Sequence, residues 1–86
     1  DSKILLARVM ELIRSMGWSV GNVDITIAMQ KPKLAPYIVP MRECMASIMG
    51  VSVSAVSVKA TTTEKLGFVG RSEGCEVYAV ALLKQD

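Results

Sequence analysis

The segment VDITI at positions 23–27 alternates apolar and polar side chains. A period of two is typical of a strand that has one buried face and one exposed face. We predict a strand from Trp18 to Gln30 around this segment, with a turn or bulge at Gly21-Asn22. A sheet therefore lies at the centre of the fold, and the flanking segments have to cover it.

The segment before this strand has helical periodicity. Its apolar residues recur at helical spacing from Leu5 to Met16, with charged residues on the remaining face. This pattern predicts a helix from Lys3 to Met16. Ser2 is the predicted N-cap, and Gly17 is the predicted stop, because glycine accepts the conformation that ends a helix.

The segment after the strand predicts a second helix. Pro36 suits its first turn, and Gly50 closes it. The expected apolar stripe of this helix consists of Ile38, Met41, Met45, Ile48 and Met49. The methionines of this helix are therefore interpreted as core residues and not as part of a cofactor site.

The C-terminal part predicts a second strand from Val56 to Ala60, a loop from Thr61 to Gly74 and a third strand from Val77 to Leu83. The third strand is apolar almost throughout, which indicates burial on both faces. The order is helix, strand, helix, strand, strand, so we predict an α/β or α+β domain of the sandwich type, with its sheet packed against helices. Three strands and two helices do not easily cover both faces of a sheet, so we expect a partner surface.

Composition limits the classes of function. The chain has 86 residues, of which 51% are hydrophobic, and this is more apolar material than a single short domain easily hides. We therefore expect either an oligomer or part of a longer protein, and the opening at Asp1 without methionine favours the second. The net charge of +2 is spread along the chain, which argues against nucleic-acid binding. No segment has the roughly 20 apolar residues that cross a membrane.

Histidine is absent, and this excludes several kinds of site within the chain. A metal site with histidine ligands and a Ser/His or Cys/His catalytic pair are both impossible here. The two cysteines, Cys44 and Cys75, form no CxxC pair and are interpreted as buried free thiols.

Polar residues concentrate in two loops, MQKPKLA at 29–35 and ATTTEKLGFVGR at 60–71. Each follows a strand, and α/β proteins place ligands where strands end. The threonines with a lysine and an arginine suit an anion, and Glu64 suits a divalent cation shared with phosphates. Structural roles are alternatives to these binding roles. Both loops could serve only as turns, and Thr61 with Glu64 matches a capping box at a helix start. Phe68 in the core and Arg71 in a surface ion pair are likewise open.

The chain resembles a known family in several motifs: GNVDITI (21–27), QKPKL (30–34), VKATTTEKLGF (58–68), GR (70–71) and EG (73–74). These motifs are similar to those of the methylerythritol cyclodiphosphate synthases. The resemblance extends from Asp1 to about Leu83, and it covers the latter half of that family's domain.

The resemblance implies a homotrimer of α/β subunits with active sites between neighbours. The implied reaction converts 4-diphosphocytidyl-2-C-methyl-D-erythritol 2-phosphate to the 2,4-cyclic diphosphate and CMP by intramolecular phosphoryl transfer. One subunit would hold zinc through an Asp-x-His pair and a further histidine. Its neighbour would bind the cytidine nucleotide and a magnesium or manganese ion. The family implies a bacterial cytoplasmic or a plastid location.

The resemblance also implies roles for particular residues. The segment that would wrap the cytosine consists of Met29, Gln30, Lys31, Pro32, Lys33, Leu34 and Ala35. The opposite wall would consist of Ala60, Thr61, Thr62 and Thr63. Thr62 would act at the β-phosphate and Glu64 would bind the magnesium or manganese ion, as the two catalytic residues. Phe68 and Arg71 would face an axial cavity of the trimer that holds an isoprenoid diphosphate.

Some features depart from the family pattern. Met29 replaces a small residue, Ala35 replaces a larger aliphatic one, and the zinc ligands would all precede Asp1. We therefore expect the 86 residues alone not to catalyse the reaction. Three hypotheses remain: part of a full-length synthase, a non-catalytic binder of cytidine nucleotides or phosphate, and an oligomerisation module.

Overall fold

The fold was obtained as a computed structural model, which describes residues 1–31, 33–62, 67–71 and 73–86. Its elements are α1 (Ser2–Ser15), β1 (Trp18–Ala28), α2 (Ile38–Met49), β2 (Val56–Thr61), α3 (Gly67–Gly70) and β3 (Glu76–Gln85). Short 3-10 turns at Ala35–Tyr37 and Val53–Ala55 precede α2 and β2. The chain is a small α+β fold.

Three strands form one mixed sheet in the order β2-β1-β3. The central strand β1 runs parallel to β2, with Val23 opposite Val56 and Ala28 opposite Thr61. It runs antiparallel to β3. Because β1 and β2 are parallel and in register at Ala28 and Thr61, their carboxyl ends lie side by side. The two polar loops therefore leave the sheet at the same edge.

The expected irregularity in β1 is confirmed. The pairing with β3 shifts between Val20 and Asn22, so Gly21 is an extra residue in the ladder. A β-carbon at Gly21 would lie 3.2 Å from the carbonyl oxygen of Leu82, which is a tight contact. Glycine therefore permits the close approach of the two strands at the bulge.

Helices α1 and α2 pack on one face of the sheet. The fully buried core between them and the sheet consists of Met10, Val20, Ala46, Met49, Val56 and Val58. Helix α2 ends at Gly50, whose φ of +69° is the left-handed conformation that favours glycine. The N-cap of α1 is Asp1, whose carboxylate accepts from the amide of Lys3 at 2.8 Å, so the prediction of Ser2 was wrong by one residue.

Arg42 fastens α2 to the segment that leads into β2. Its Nε donates to the carbonyl of Val56 at 2.7 Å, and Nη2 donates to that of Val53 at 3.0 Å. Hydrogen bonds from a charged donor are the stronger kind. The start of β2 is thus held both by its sheet partner and by the helix above it.

The predicted loop from Thr61 to Gly74 is wrong at both its start and its middle. Thr61 belongs to β2, and the residues Gly67–Gly70 form the single turn α3. This turn closes with a bond from the amide of Arg71 to the carbonyl of Gly67 at 3.1 Å. Val69 is buried within this turn.

Strand β3 is exposed along nearly its whole length, against the prediction of burial on both faces. It is an edge strand. Helices α1 and α2 cover one face of the sheet, mainly over β1 and β2. Cys75, just before β3, is also exposed, so the prediction of a buried thiol was wrong for it; Cys44 is half-buried, and both thiols are free. Among the described residues no helix is long and apolar enough to cross a bilayer.

Candidate functional site

The two polar loops meet in one open cavity of about 250 Å³ at the carboxyl ends of β1 and β2. The residues that line it are Met29, Gln30, Lys33, Leu34, Ala35, Ala60, Thr61 and Thr62. All eight belong to the set that the sequence predicted for a nucleotide site. The structure brings them together, and their individual roles stay predictions.

One backbone hydrogen bond fixes the distance between the two walls. The amide of Met29, the first residue after β1, donates to the carbonyl of Thr61 at 3.0 Å. This bond continues the parallel ladder by one step beyond the last paired residues. The cavity is therefore built on the rigid end of the sheet, which holds its two walls in register.

The inner surface of the cavity is largely apolar. Met29, Leu34, Ala35 and Ala60 supply this surface, which suits a flat ring better than a charged group. A cavity of this volume lies at the small end of ligand pockets, which take up about 300–1,000 Å³. It has room for a nucleobase, whereas sugar and phosphate groups would extend beyond it.

Charged and hydroxyl groups also line the cavity. Lys33 lines the cavity with an exposed side chain, where an ammonium group retains its hydration and can meet a phosphate. The hydroxyl of Thr61 donates to the carbonyl of Thr62 at 3.2 Å. Thr62 also faces the cavity. The lining thus combines a cation and hydroxyl groups with apolar side chains.

Gln30 differs from the other polar residues of the cavity. It is half-buried, and its side-chain oxygen Oε1 is shielded from solvent without a hydrogen-bond partner among the described residues. Buried polar groups in folded proteins nearly always have a partner. The resemblance assigned Gln30 to the segment 29–35 that would wrap the cytosine, but nothing in the sequence indicated that its amide oxygen would be unpaired.

Several predicted residues lie elsewhere or beyond description. Lys31 is exposed and does not line the cavity. Pro32, Thr63 and Glu64 lie outside the described residues, and so does the capping-box alternative for Thr61 with Glu64. The proposed roles of these residues, including the metal role of Glu64, stay predictions.

Phe68 and Arg71 belong to a separate region, around α3. Phe68 is 44% exposed, and its ring lies against Gly74, where a β-carbon would come within 3.3 Å of it. Arg71 forms an ion pair with Glu73, as the structural alternative anticipated. Glu73 is the residue that sequence reasoning missed here, although its position two residues after Arg71 was the available signal.

Metal ligands are not gathered within the described part of the chain. No group of three or more Cys, Asp or Glu side chains there has the arrangement to hold a metal ion. Histidine does not occur at all in the 86 residues. The residues present therefore do not fit a zinc site of the kind that the resemblance implies, and no chemical step is derived through zinc.

Comparison with protein-family models matches residues 1–84 to the YgbB family. Among curated relatives, 2-C-methyl-D-erythritol 2,4-cyclodiphosphate synthase of Porphyromonas gingivalis is 63% identical over 83 residues, which are 96% of this chain and 51% of the relative. The synthase of Bacteroides thetaiotaomicron is 52% identical over all 86 residues and 54% of its own length. The chain thus spans about half the length of the curated relatives it matches.

Solved structures agree. The synthase of Plasmodium vivax superposes with a TM-score of 0.96 at 32% identity, covering 100% of this chain and 57% of that one. A complex of IspF from Plasmodium falciparum with CDP has a TM-score of 0.87 at 31% identity, covering 96% of this chain and 53% of that one. The similarity therefore includes a protein whose structure was solved with a cytidine nucleotide.

Proposed function

Because this chain belongs to the YgbB family, we propose that it supplies the nucleotide-binding half of a 2-C-methyl-D-erythritol 2,4-cyclodiphosphate synthase of the methylerythritol phosphate pathway. The observation that carries the proposal is the cavity at the ends of β1 and β2, where both predicted loops contribute to one lining. The full reaction would convert the 4-diphosphocytidyl 2-phosphate substrate to the cyclic diphosphate and CMP.

The cavity's chemistry supports a division of labour along the nucleotide. The apolar interior would take the cytosine ring, and Lys33 would meet the diphosphate at the rim. Thr62, opposite the cytosine loop, would donate to the β-phosphate as charge develops on its oxygens. Phosphoryl transfer depends mainly on positioning and on charge stabilisation, and both need only groups of this kind from the binding half.

The metal part of the proposal is limited. A magnesium or manganese ion on Glu64 would neutralise phosphate charge, since hard cations prefer carboxylate oxygens. Zinc would require ligands that this histidine-free chain does not supply. Catalysis by the 86 residues alone is therefore not expected, and nucleotide binding is the activity to test.

We also propose that the trimer uses the sheet face opposite the helices. On β3 this face carries Tyr78, Val80 and Leu82, which are 61%, 73% and 60% exposed. A row of exposed apolar side chains is typical of an interaction surface. A second copy of the chain is the occupant that the resemblance implies. Phe68 and Arg71 would lie near the axis, where Arg71 would leave Glu73 to bind an isoprenoid diphosphate.

Calorimetry with CDP tests the function. The 86-residue chain is expected to bind CDP in the presence of magnesium, and Thr62→Ala or Glu64→Ala is expected to weaken binding by about tenfold. Ser47→Ala is the control, because Ser47 is exposed on α2 away from the cavity. Absence of heat at ligand concentrations of about 1 mM, the weak limit of specific binding, would eliminate the nucleotide proposal and leave the oligomerisation module.

A non-catalytic role is the second candidate, and the absence of histidine is the observation that favours it. Such a protein would bind CDP without turning over the substrate under any condition. Adding the part of the Porphyromonas gingivalis synthase that this chain does not match distinguishes the two functions. Formation of CMP only in the mixture supports the half-enzyme, whereas binding without CMP supports the non-catalytic role.

A further inference from the structure

A second depression, of about 430 Å³, lies at the opposite end of β1 from the nucleotide cavity. Its lining includes Arg14 at the end of α1, Gly50 after α2, residues 19–21 near the start of β1, and Lys84 near the end of β3. None of its described lining residues carries a carboxylate. β1 has 11 residues and a strand rises about 3.3 Å per residue, so about 30 Å separates its two ends. This basic depression is therefore separate from the cavity and shares no residue with it.

Arg14 is held in place by the last residues of α2. Its Nη2 donates to the carbonyl of Met49 at 3.4 Å, and a β-carbon at Gly50 would lie 3.1 Å from the same nitrogen. Glycine at position 50 therefore leaves the room that the guanidinium occupies. A guanidinium has five N–H donors, and this one long hydrogen bond is the only one that Arg14 forms within the described residues. Its other donors are available to a ligand.

Lys84 lines the same depression from β3. Its Cγ lies 3.4 Å from the position that a β-carbon at Gly21 would take, so the aliphatic part of the side chain passes over the bulge. Neither Lys84 nor Arg14 forms an ion pair in the part of the chain that the structure describes. A carboxylate does lie next to the depression, but Oδ1 of Asp86 accepts from the hydroxyl of Ser19 at 2.9 Å and not from a cation. Two cations therefore line one depression without a counter-charge bound to either.

The backbone of β1 is open at this place. β1 pairs with β2 only from Val23 onward, so the edge of residues 18–22 on that side has no strand partner. Ala55, just before β2, lines the depression together with residues 19–21. An unpaired strand edge presents backbone N–H groups, and such an edge can form a concave site for an anion. The depression thus combines two charged donors with an open strand edge.

We propose that the basic depression binds the phosphate group of a small soluble molecule, with Arg14 and Lys84 as the charged donors. A guanidinium matches two phosphate oxygens at once, and an ammonium contributes a compact second charge. Two cations suit a phosphate, which carries up to two negative charges, better than a neutral ligand. The site goes beyond the proposed function, because it does not require the nucleotide cavity to be occupied.

The test is calorimetry of the 86-residue chain with inorganic phosphate at low ionic strength, where screening is weak. Arg14→Gln and Lys84→Gln are each expected to weaken phosphate binding about fivefold, because each removes one charged donor. Arg8→Gln is the matched control, since it removes the same charge from an exposed position of α1 outside the depression, and it is expected to change binding by less than about twofold. Equal losses in all three variants would show that phosphate responds only to net charge, and would overturn the proposal.

A measurement on the unaltered protein makes the result independent of folding of the variants. The backbone amide resonances of Gly21 and Gly50 are expected to shift as inorganic phosphate is added, and to shift equally in Lys33→Gln. Shifts confined to Met29 and Thr61 would place the phosphate in the nucleotide cavity and overturn the proposal. Binding to vesicles of phosphatidylglycerol without binding of free phosphate would also overturn it. If Gly21 and Gly50 respond to phosphate but the chain binds no CDP, the proposed function fails and this inference stands.

Discussion

Strands β2 and β3 flank the same central strand, yet only β2 contributes buried side chains. In β2, Val56 has no exposed surface and Val58 is 8% exposed, because α2 and its approach cover that side. In β3, Val80 is 73% exposed and Leu82 60%. Both strands are rich in apolar residues. An apolar strand thus indicates that a partner is needed, but it does not say whether that partner belongs to the same chain.

The difference also explains where the site formed. The parallel pair of β1 and β2 is covered by α2 on one face, Arg42 ties α2 to the start of β2, and the cavity lies at the carboxyl end of the pair. Strand β3, on the antiparallel side, is exposed and contributes no residue to that cavity. Binding residues need a rigid support, and the covered half of the sheet provides it.

The largest effect is expected from shortening the same side chain in both strands. Val56→Ala should lower the free energy of unfolding by about 2 kcal/mol, because two buried carbons are lost and a cavity remains. Val80→Ala should change it by less than about 0.5 kcal/mol, as an exposed substitution does. Urea denaturation of dilute protein measures both. Equal losses would mean that β3 is already buried by another copy under those conditions.

A second prediction concerns that other copy. Val80→Lys is expected to weaken self-association by about tenfold or more, because a charge would have to be desolvated at the proposed interface. Val53→Lys is the control, since Val53 is 40% exposed in the turn before β2, away from β3. Sedimentation velocity over a concentration series measures association. An unaltered chain that stays monomeric throughout would count against the trimer for these 86 residues.

The smallest effect is expected at an exposed pair on β3. The hydroxyl of Tyr78 donates to Oε2 of Glu76 at 2.6 Å. This hydrogen bond, together with the charge of Glu76, raises the pKa of Tyr78 above its ordinary value of 10.0. The stabilising contribution of this bond is lost as the pH rises from 10.0 through the raised pKa, because the tyrosinate ion has no proton to donate.

Glu76→Gln is therefore expected to lower the pKa of Tyr78 towards its ordinary value. The absorbance of the tyrosinate ion during an alkaline titration measures it, in a Tyr37→Phe background that leaves Tyr78 as the remaining tyrosine. An unchanged pKa would show that the pair does not form in solution. In an assembled trimer that covers β3, the same substitution should have a larger effect, because burial strengthens the interaction.

The sequence predicted the elements well where a local pattern was strong. Alternation over VDITI identified the central strand, and the glycines at 17 and 50 marked the helix ends. Local patterns failed where tertiary contacts decide. Val69 is buried and turns the expected loop into α3, and nothing in the neighbouring residues announces that burial.

The cavity was predicted mainly through the motifs of the two loops. Their convergence depends on the parallel register of β1 and β2, which no local spacing specifies. The unpaired amide of Gln30 was not predictable, because a hydrogen bond that is not made leaves no trace in the sequence. The exposure of β3 was missed for a related reason. Apolar composition indicates that a strand has to be covered, but it does not show whether the same chain or a partner covers it.

The bulge at Gly21 divides β1 into two halves with opposite phase. Val20 and Val23 both pack on the core although three positions separate them, which a regular strand forbids. The half before the bulge is tied to the end of the chain, where the amide of Asp86 donates to Gly17 at 2.8 Å. The half after it leads to the cavity. The extra residue thus lets one strand turn apolar side chains to the same core on both sides of the bulge, so β1 serves α1 and α2 along its length without a break in the chain.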